Sequence, residues 1–517
     1  MSVATMLSRI LGLVREQLIA TLFSRTATDA FYVAFRIPNL LRDLFAEGAM
    51  SSAFVPTFTE YLKKRGPKEA WQLAANILNL LLVGLSLITF LGILFSNTLV
   101  SKFAGEFMAT PGKFELTVLL TQIMFPFLPM VALAAVLMGI LNSHGSFFLP
   151  ALAPALFNVG SIVVALGLYF WLPAWGYDPV LGMAIGTLCG GALQLLIQIP
   201  PLLKKGFVYS GALSFRHPGV RRILLLMGPG TIGLASTQVN ILVNTWLATS
   251  QGEGPVSWLN YAFRLMQFPL GIFGVAIASA TLPTVSAHVA TGELEGLRKT
   301  LSSALRMVLV INIPAALGLI FLSHPIVALI YEHGKFKQTD TDATSKALIF
   351  YAIGLFAYSG IKVLVPAFYA LGRSRVPVII STISVAVNIA LNLWLIGPFG
   401  YLGLALGTSL TAIGNFVLLF RQLQRSAGPF ATTEILSLGL KMLTASVVMG
   451  AVSMKSHAWL MPSGTSPSLA SEMWLLGLSI GLGLATLYGV CRLMRIEEIE
   501  IARGVARRKL AGLFGKS

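Results

Sequence analysis

The sequence predicts an all-α polytopic membrane protein of about fourteen transmembrane helices. Of its 517 residues, 56% are hydrophobic and only 11% charged, where a soluble domain carries about 25% charged residues. Mean hydropathy is +0.79. The apolar runs are about 20 residues long, the length a helix needs to cross about 30 Å of hydrocarbon. Short segments of alternating polarity, the mark of a membrane barrel, are absent. The first apolar run holds Arg9 and Arg15 and no small-residue cleavage site, so no cleavable leader is expected.

In chain order the spans are 3–23, 28–60, 71–95, 115–141, 150–172, 179–201, 222–248, 257–286, 301–323, 344–370, 376–396, 401–421, 433–453 and 472–492. The second, about 32 residues at 1.5 Å each, would reach roughly 48 Å. It should project beyond the bilayer and kink at Pro38. Alternate loops carry Lys63, Lys64, Arg65 and Lys68, then Lys204 to Arg222, Arg298 and Lys299, Arg373 and Arg375, Arg421 and Arg425, and the basic end from Arg492 to Lys516. The opposite loops hold Arg25, Lys102, Lys113, Lys335, Lys337 and Lys455. This asymmetry places both termini in the cytoplasm, which an even number of spans requires. The stretch from Arg495 to Phe514 alternates acidic, apolar and basic residues and reads as an interfacial amphipathic helix.

An internal repeat is visible. Ala34-Phe35-Arg36 matches Ala262-Phe263-Arg264, Pro56-Thr57 matches Pro283-Thr284, and Gly145 and Pro150 match Gly372 and Pro377, at offsets of 228, 227 and 227. Spans 1–6 and 7–12 then form two six-helix lobes, residues 1–203 and 204–425. Spans 13–14 lie in residues 426–493 and a basic tail follows at 494–517. Six spans per repeat is even, so the repeats are parallel about an axis along the membrane normal, and a substrate site is expected between them.

The net charge of +17 would suit nucleic acid in a soluble chain; here it follows from positive-inside loops, and no nucleic-acid partner is expected. Cys189 and Cys491 are far apart and read as packing residues. No phosphate loop, HExxH or nucleophile elbow occurs. Acids gather in one loop, Glu332-His333-Gly-Lys-Phe-Lys-Gln-Thr-Asp340-Thr-Asp342, too thin a basis for an enzyme. No catalytic or metal-ligating residue is assigned, and no cofactor is expected.

What remains is a set of cations where cations are costly. Arg9, Arg15, Arg42 and Arg264 lie in or at the edge of apolar spans. Each would cost about 2.5–3.5 kcal/mol at the bilayer centre, so four facing lipid would cost on the order of 10 kcal/mol, as much as a domain's whole stability. They should instead face a polar cavity, one suited to an anion. Arg9 and Arg15 are six residues apart, about 600° of helix, so they reach one wide cavity from different faces. Glu16 can neutralise Arg15, Asp43 can pair with Arg42, and Glu47 lies deep enough to meet a cavity arginine. Asp29 after Thr28 reads as a helix start or as a gate partner for an arginine. Arg264 falls where the repeat places Arg36, and Lys362 is a fifth cation, inside span 10. Guanidinium forks bind phosphate bidentately and stay charged when desolvated, so the array fits a diphosphate better than a carboxylate.

Ala27-Thr28-Asp29-Ala30-Phe31, Pro38-Asn39-Leu40-Leu41-Arg42, Phe45-Ala46-Glu47-Gly48-Ala49 and Ala53-Phe54-Val55-Pro56 strongly resemble the MurJ (MviN-type) lipid II flippases. Gly139-Ile140-Leu141-Asn142, the segment from Phe148 to Pro154, Tyr261 to Pro269, and Tyr331-Glu332-His333-Gly334-Lys335-Phe336 are also similar to that family. The resemblance implies a multidrug/oligosaccharidyl-lipid/polysaccharide exporter fold in the bacterial cytoplasmic membrane. It implies transport of undecaprenyl-diphosphate-linked peptidoglycan precursor from inner to outer leaflet; another polyprenyl-diphosphate glycan is the alternative. Partners implied are lipid II, membrane lipids and cell-wall synthesis proteins. Arg9, Arg15, Arg42 and Arg264 correspond to the family's cavity arginines, and Asp29 to its essential aspartate. Pro38, Asn39, Glu47 and Lys362 support them, and spans 13–14 form a lipid-tail groove.

Two departures follow. Phe263 and Gln267 stand where members often carry Asp and Glu, which puts an acidic switch there in doubt. Some members hold Na⁺ between spans 7 and 11 through carboxylates, whereas here Gln238, Asn240, Asn244, Asn388 and Asn392 are neutral. Na⁺ coupling is the alternative to a cofactor-free cycle, although a hard cation prefers charged oxygens.

Overall fold

The structure, a computed structural model, describes residues 2–44, 49–461, 468–496 and 498, without the side chains of 2, 3, 5, 49–52 and 228–237. Two compact units divide the chain. The first, Met1–Ser257 with His333–Phe336, contains α1 (Ser2–Leu22), α2 (Arg25–Arg42), α3 (Ala49–Lys64), α4 (Pro67–Leu94), α5 (Ser96–Ala104), α6 (Lys113–Met124), α7 (Phe127–Ser143), α8 (Phe148–Trp171), α9 (Leu181–Leu196), α10 (Ile199–Lys204), α11 (Pro218–Thr249) and the first turn of α12 (Pro255–Pro269). The second, Trp258–Glu332 with Lys337–Ser517, contains the rest of α12, then α13 (Val275–Thr291), α14 (Leu294–Phe321), α15 (Ser323–Tyr331), α16 (Gln338–Ala352), α17 (Leu355–Ala370), α18 (Arg375–Phe399), α19 (Tyr401–Ala427), α20 (Thr432–Leu460) and α21 (Leu469–Leu493). No strand occurs among the described residues.

Ten helices among the described residues are long and apolar enough to cross a membrane, or eleven with the bent pair α16 and α17 counted as one span. The expected fourteen is not reached among the described residues. Charge and length keep α1 and α2 out of the apolar set: α1 contains Arg9, Arg15 and Glu16, and α2 has 18 residues with four charged groups. Two of the candidate arginines on these helices, Arg9 and Arg15, are among the charges that keep α1 out of the set, whereas α12, with Arg264, belongs to it.

Several breaks were not evident from hydropathy. Within the long second span, α2 runs through Pro38 and ends at Arg42, and α3 begins at Ala49. The fourth span breaks at Phe125-Pro126, where proline lacks an N–H for the ladder. Span 10 bends by 44° between α16 and α17. There Ser409 Oγ lies within hydrogen-bond reach of Phe350 O (2.7 Å) and Tyr351 O (3.1 Å), carbonyls that an unbroken helix would satisfy internally. A Cβ at Gly354 would meet Ser409 Oγ at 2.9 Å, so only glycine lets the bend approach α19 this closely.

In the first unit, Phe54 and Phe58 of α3, Trp71 of α4, Ile140 of α7 and Val220 of α11 share one buried core. α8 and α9 approach through small residues: a Cβ on Gly186 would lie 2.5 Å from Ser161 O, and one on Gly190 2.4 Å from Phe157 O. In the second unit, one core joins α13, α14, α17 and α19 through Val285, Leu301, Phe368 and Leu419. A separate core seats α20 and α21 on α14 through Leu309, Met442, Met449 and Leu487. Cys491 is buried in that core, whereas Cys189 is exposed rather than packed. The expected tail helix lies outside the described residues apart from its start.

His217 caps α11, its Nδ1 accepting the Gly219 N–H at 3.1 Å. Burial, aided by Arg65, holds it below the usual histidine range. The fold therefore favours the neutral ring, and its contribution is full above 6.5 and fades as pH falls through the lowered value. The melting temperature in detergent should fall on acidification, and His217→Asn should lessen that fall because an amide caps without titrating.

Candidate functional site

α1 carries the first candidate cations. Arg15 is 12% exposed and its Nη2 pairs with Glu16 Oε1 at 3.1 Å. Glu16 is buried and also accepts a hydrogen bond from the Tyr32 hydroxyl of α2. The Arg15 guanidinium lies 5.2 Å from the Phe157 ring centroid, and its buried Nε has no hydrogen-bond partner among the described residues. Asn158 of α8 fixes the helix by donating to Ser8 O at 3.2 Å. Arg9 is exposed.

The second cluster closes α2. Arg42 donates from Nε (3.0 Å) and Nη2 (2.6 Å) to Asp43 Oδ1. The other carboxylate oxygen accepts from Gln238 of α11 at 3.1 Å and from Asn39 at 3.5 Å. The expected pairing of Arg42 with Asp43 is thus present, with Asn39 drawn in and Pro38 buried one residue earlier. Glu47 lies outside the described residues. In the second unit Arg264 of α12 is exposed, and so is Lys362 of α17, contrary to the expectation of a buried fifth cation. Lys362 faces away from the packed side of α17, formed by Val363, Leu364, Ala367 and Phe368.

Asp29 departs furthest from expectation. It does not begin its own helix, since Ser24 caps α2 by accepting from Ala27 N. Its partner is not an arginine. Asp29 is fully buried, and its Oδ2 accepts from Lys113 Nζ at 2.9 Å and Gly254 N at 2.7 Å, while Oδ1 accepts from Ser257 N at 3.0 Å and Ser257 Oγ at 2.6 Å. A carboxylate of α2 therefore caps the N-terminus of α12, where free N–H groups and the helix dipole favour negative charge. Beside it the Thr26 hydroxyl donates to the Glu253 carboxylate, and Ser257 Oγ lies 2.9 Å from Thr28 Oγ1. These contacts tie the start of α2 to the start of α12.

Lys113 was read from sequence as a loop cation; the structure buries it at 1% exposure, its Nζ 4.0 Å from the Phe107 ring centroid. The signal that finds it is topological: as even-numbered spans, 2, 4 and 8 are expected to begin on one and the same side, which brings Asp29, Lys113 and Ser257 to a similar depth. In the second unit Asp340 does a comparable task, accepting from Trp258 Nε1 at 2.8 Å and from Lys337 N at 2.9 Å at the start of α16.

Several of the residues considered for Na⁺ hydrogen-bond within their own unit. In the second unit Asn392 Nδ2 donates to Asn388 Oδ1 at 2.9 Å, and Asn388 Nδ2 to Thr411 Oγ1 at 3.2 Å. In the first unit Gln238 is turned to Asp43, itself paired with Arg42. Among the described residues no group of three or more His, Cys, Asp or Glu could hold a metal ion. A hard cation prefers charged oxygens to neutral amides.

The profile of the family described as Lipid II flippase MurJ matches residues 18–473. A probable lipid II flippase MurJ of Vibrio cholerae is 35% identical over 512 residues, covering 97% of this chain and 96% of that protein. A lipid II flippase MurJ of Burkholderia cenocepacia is 38% identical over 427 residues, covering 81% and 82%. Among solved structures, a lipid II flippase MurJ in its inward closed conformation superposes with TM-score 0.80 at 28% identity, over 96% of this chain and 99% of that one. An inward-facing multidrug transporter of the MATE family and MOP superfamily shares the fold, with TM-score 0.66 at 19% identity, over 83% and 95%. With its apolar helices and a match running through both units, the chain is a multi-pass membrane transporter and belongs to the MurJ family of lipid II flippases.

Proposed function

We propose that this chain moves lipid II from the inner to the outer leaflet of a bacterial cytoplasmic membrane by alternating access, without covalent chemistry. The diphosphate docks on Arg9, Arg15, Arg42 and Arg264. Arg15 carries this reading: a buried guanidinium N–H with no acceptor among the described residues is a donor available to a ligand. Asn39, Pro38, Glu47 and Lys362 take supporting parts, and the polyprenyl tail runs along α20 and α21. Residues 1–203 and 204–425 act as the rocking lobes, and the Asp29 latch closes the outer side. Both termini are cytoplasmic. A cationic-drug antiporter would need carboxylates at the places these arginines occupy.

In this reading the cycle uses no cofactor and no bound Na⁺, since Gln238, Asn240, Asn244, Asn388 and Asn392 are neutral and a hard cation prefers charged oxygens. Moving the anionic head transfers charge, so membrane potential drives it at about 2.3 kcal/mol per charge per 100 mV. In vesicles, replacing Na⁺ by K⁺ should leave the flipping rate unchanged while collapsing the potential slows it; the opposite pattern would point to ion coupling.

Depletion of the protein in its own cell, with a leaflet-resolved assay of lipid II, tests the whole reading. Lipid II should accumulate in the inner leaflet, and Arg15→Ala, Arg42→Ala and Arg264→Ala alleles should fail to rescue while still inserting. An unchanged lipid II distribution would make another polyprenyl-diphosphate glycan the substrate. Rescue by all three alleles would move the site elsewhere.

A further inference from the structure

We propose that Lys113 is the positioning residue of the latch: it supplies the charge that lets a fully buried, ionised Asp29 hold the start of α12. The inference rests on the reading of the Asp29 contacts as an outer gate. Asp29 accepts four hydrogen bonds, from Lys113, Gly254 N and twice from Ser257. The Lys113 ammonium and the two backbone N–H groups can only donate, and between them they meet both carboxyl oxygens, an arrangement suited to a carboxylate. A buried carboxylate without a counter-charge is strongly unfavourable, and one cation in direct contact removes that penalty.

Lys113 is that cation, 2.9 Å away and itself 1% exposed, with the face of Phe107 on its other side. It starts α6, a helix packed along α2, whereas the groups that Asp29 captures belong to α12. Ion pair and latch are therefore separable. When α12 lets go, Lys113 stays beside Asp29 on the same pair of helices, and the carboxylate is kept charged for recapture.

The rim pair Thr26 and Glu253 offers a readout that needs no lipid II. In a background with Cys189→Ala and Cys491→Ala, a Thr26→Cys/Glu253→Cys pair should form a disulfide efficiently in the full-length protein when an oxidant is added. Adding Lys113→Met should lower the cross-linking yield several-fold. Lys113→Arg should restore most of it, since a guanidinium also donates to a carboxylate. Asp29→Asn with Lys113→Met should return the yield towards the parent, because no charge is then left to compensate.

A Lys113→Met yield equal to the parent overturns the proposal. So does a double variant as poor as Lys113→Met alone, which would mean that the lysine acts through its shape against Phe107. Should Lys113→Met fail to accumulate in the membrane, the double variant decides: it must accumulate and cross-link, or the proposal falls. If instead depletion left lipid II unmoved, the substrate reading would fail while these yields kept their meaning.

Discussion

Replacing Gly190 by leucine will force α8 and α9 apart and prevent stable insertion. A Cβ there would stand 2.4 Å from Phe157 O and 2.6 Å from Ser161 Oγ, and Gly160 faces Gly190 across the same contact. The obstruction at Phe157 is backbone within a helix, which cannot turn aside as a side chain can. In lipid, helices gain little from burying apolar surface against each other, so close packing of small residues supplies much of the association. Overpacking costs about 1–3 kcal/mol in an adaptable core, and leucine against a fixed carbonyl should exceed that range. The yield of monodisperse protein in detergent and its melting temperature are the measurements. Gly167→Leu on α8 is the control, because nothing lies within 4 Å of a Cβ there. Equal yield and melting for the two variants would remove the tight α8–α9 contact from the account.

Asp29→Ala should be the most damaging single change outside the arginines. It strands Lys113 as a buried cation and leaves the N–H groups of Gly254 and Ser257 without their acceptor. Breaking a buried pair in this way costs about 3–5 kcal/mol, so a large drop in melting temperature should accompany loss of lipid II transport. Asp29→Asn should lose less stability, since its amide oxygen can still accept from the start of α12. An Asp29→Ala protein that melts and transports like the parent would mean that the latch is incidental.

Much of the site was legible because apolar runs make charge conspicuous. Arg15 with Glu16 and Arg42 with Asp43 are sequence neighbours, and the structure pairs both as their order suggests. Asp29 was legible as important but not in its role: short-range pattern favours a cap on its own helix, while the helix it caps starts 226 residues later, at Pro255. Lys362 is exposed where burial is expected, because hydropathy reports that a lysine lies in an apolar run, not which side of the helix it occupies.

The sequence by itself determined the solvent of this protein, the approximate places of its spans, its family and the identity of its cations. Hydropathy, run length and motif order are properties along the chain, and a bilayer reads them along the chain. Tertiary structure alone decided that Lys113 is an interior residue, that Asp29 serves α12, and that span 10 bends where Ser409 meets two released carbonyls. Those outcomes depend on which helix faces meet, and a buried charge or a free backbone group takes the partner that packing brings within hydrogen-bond distance.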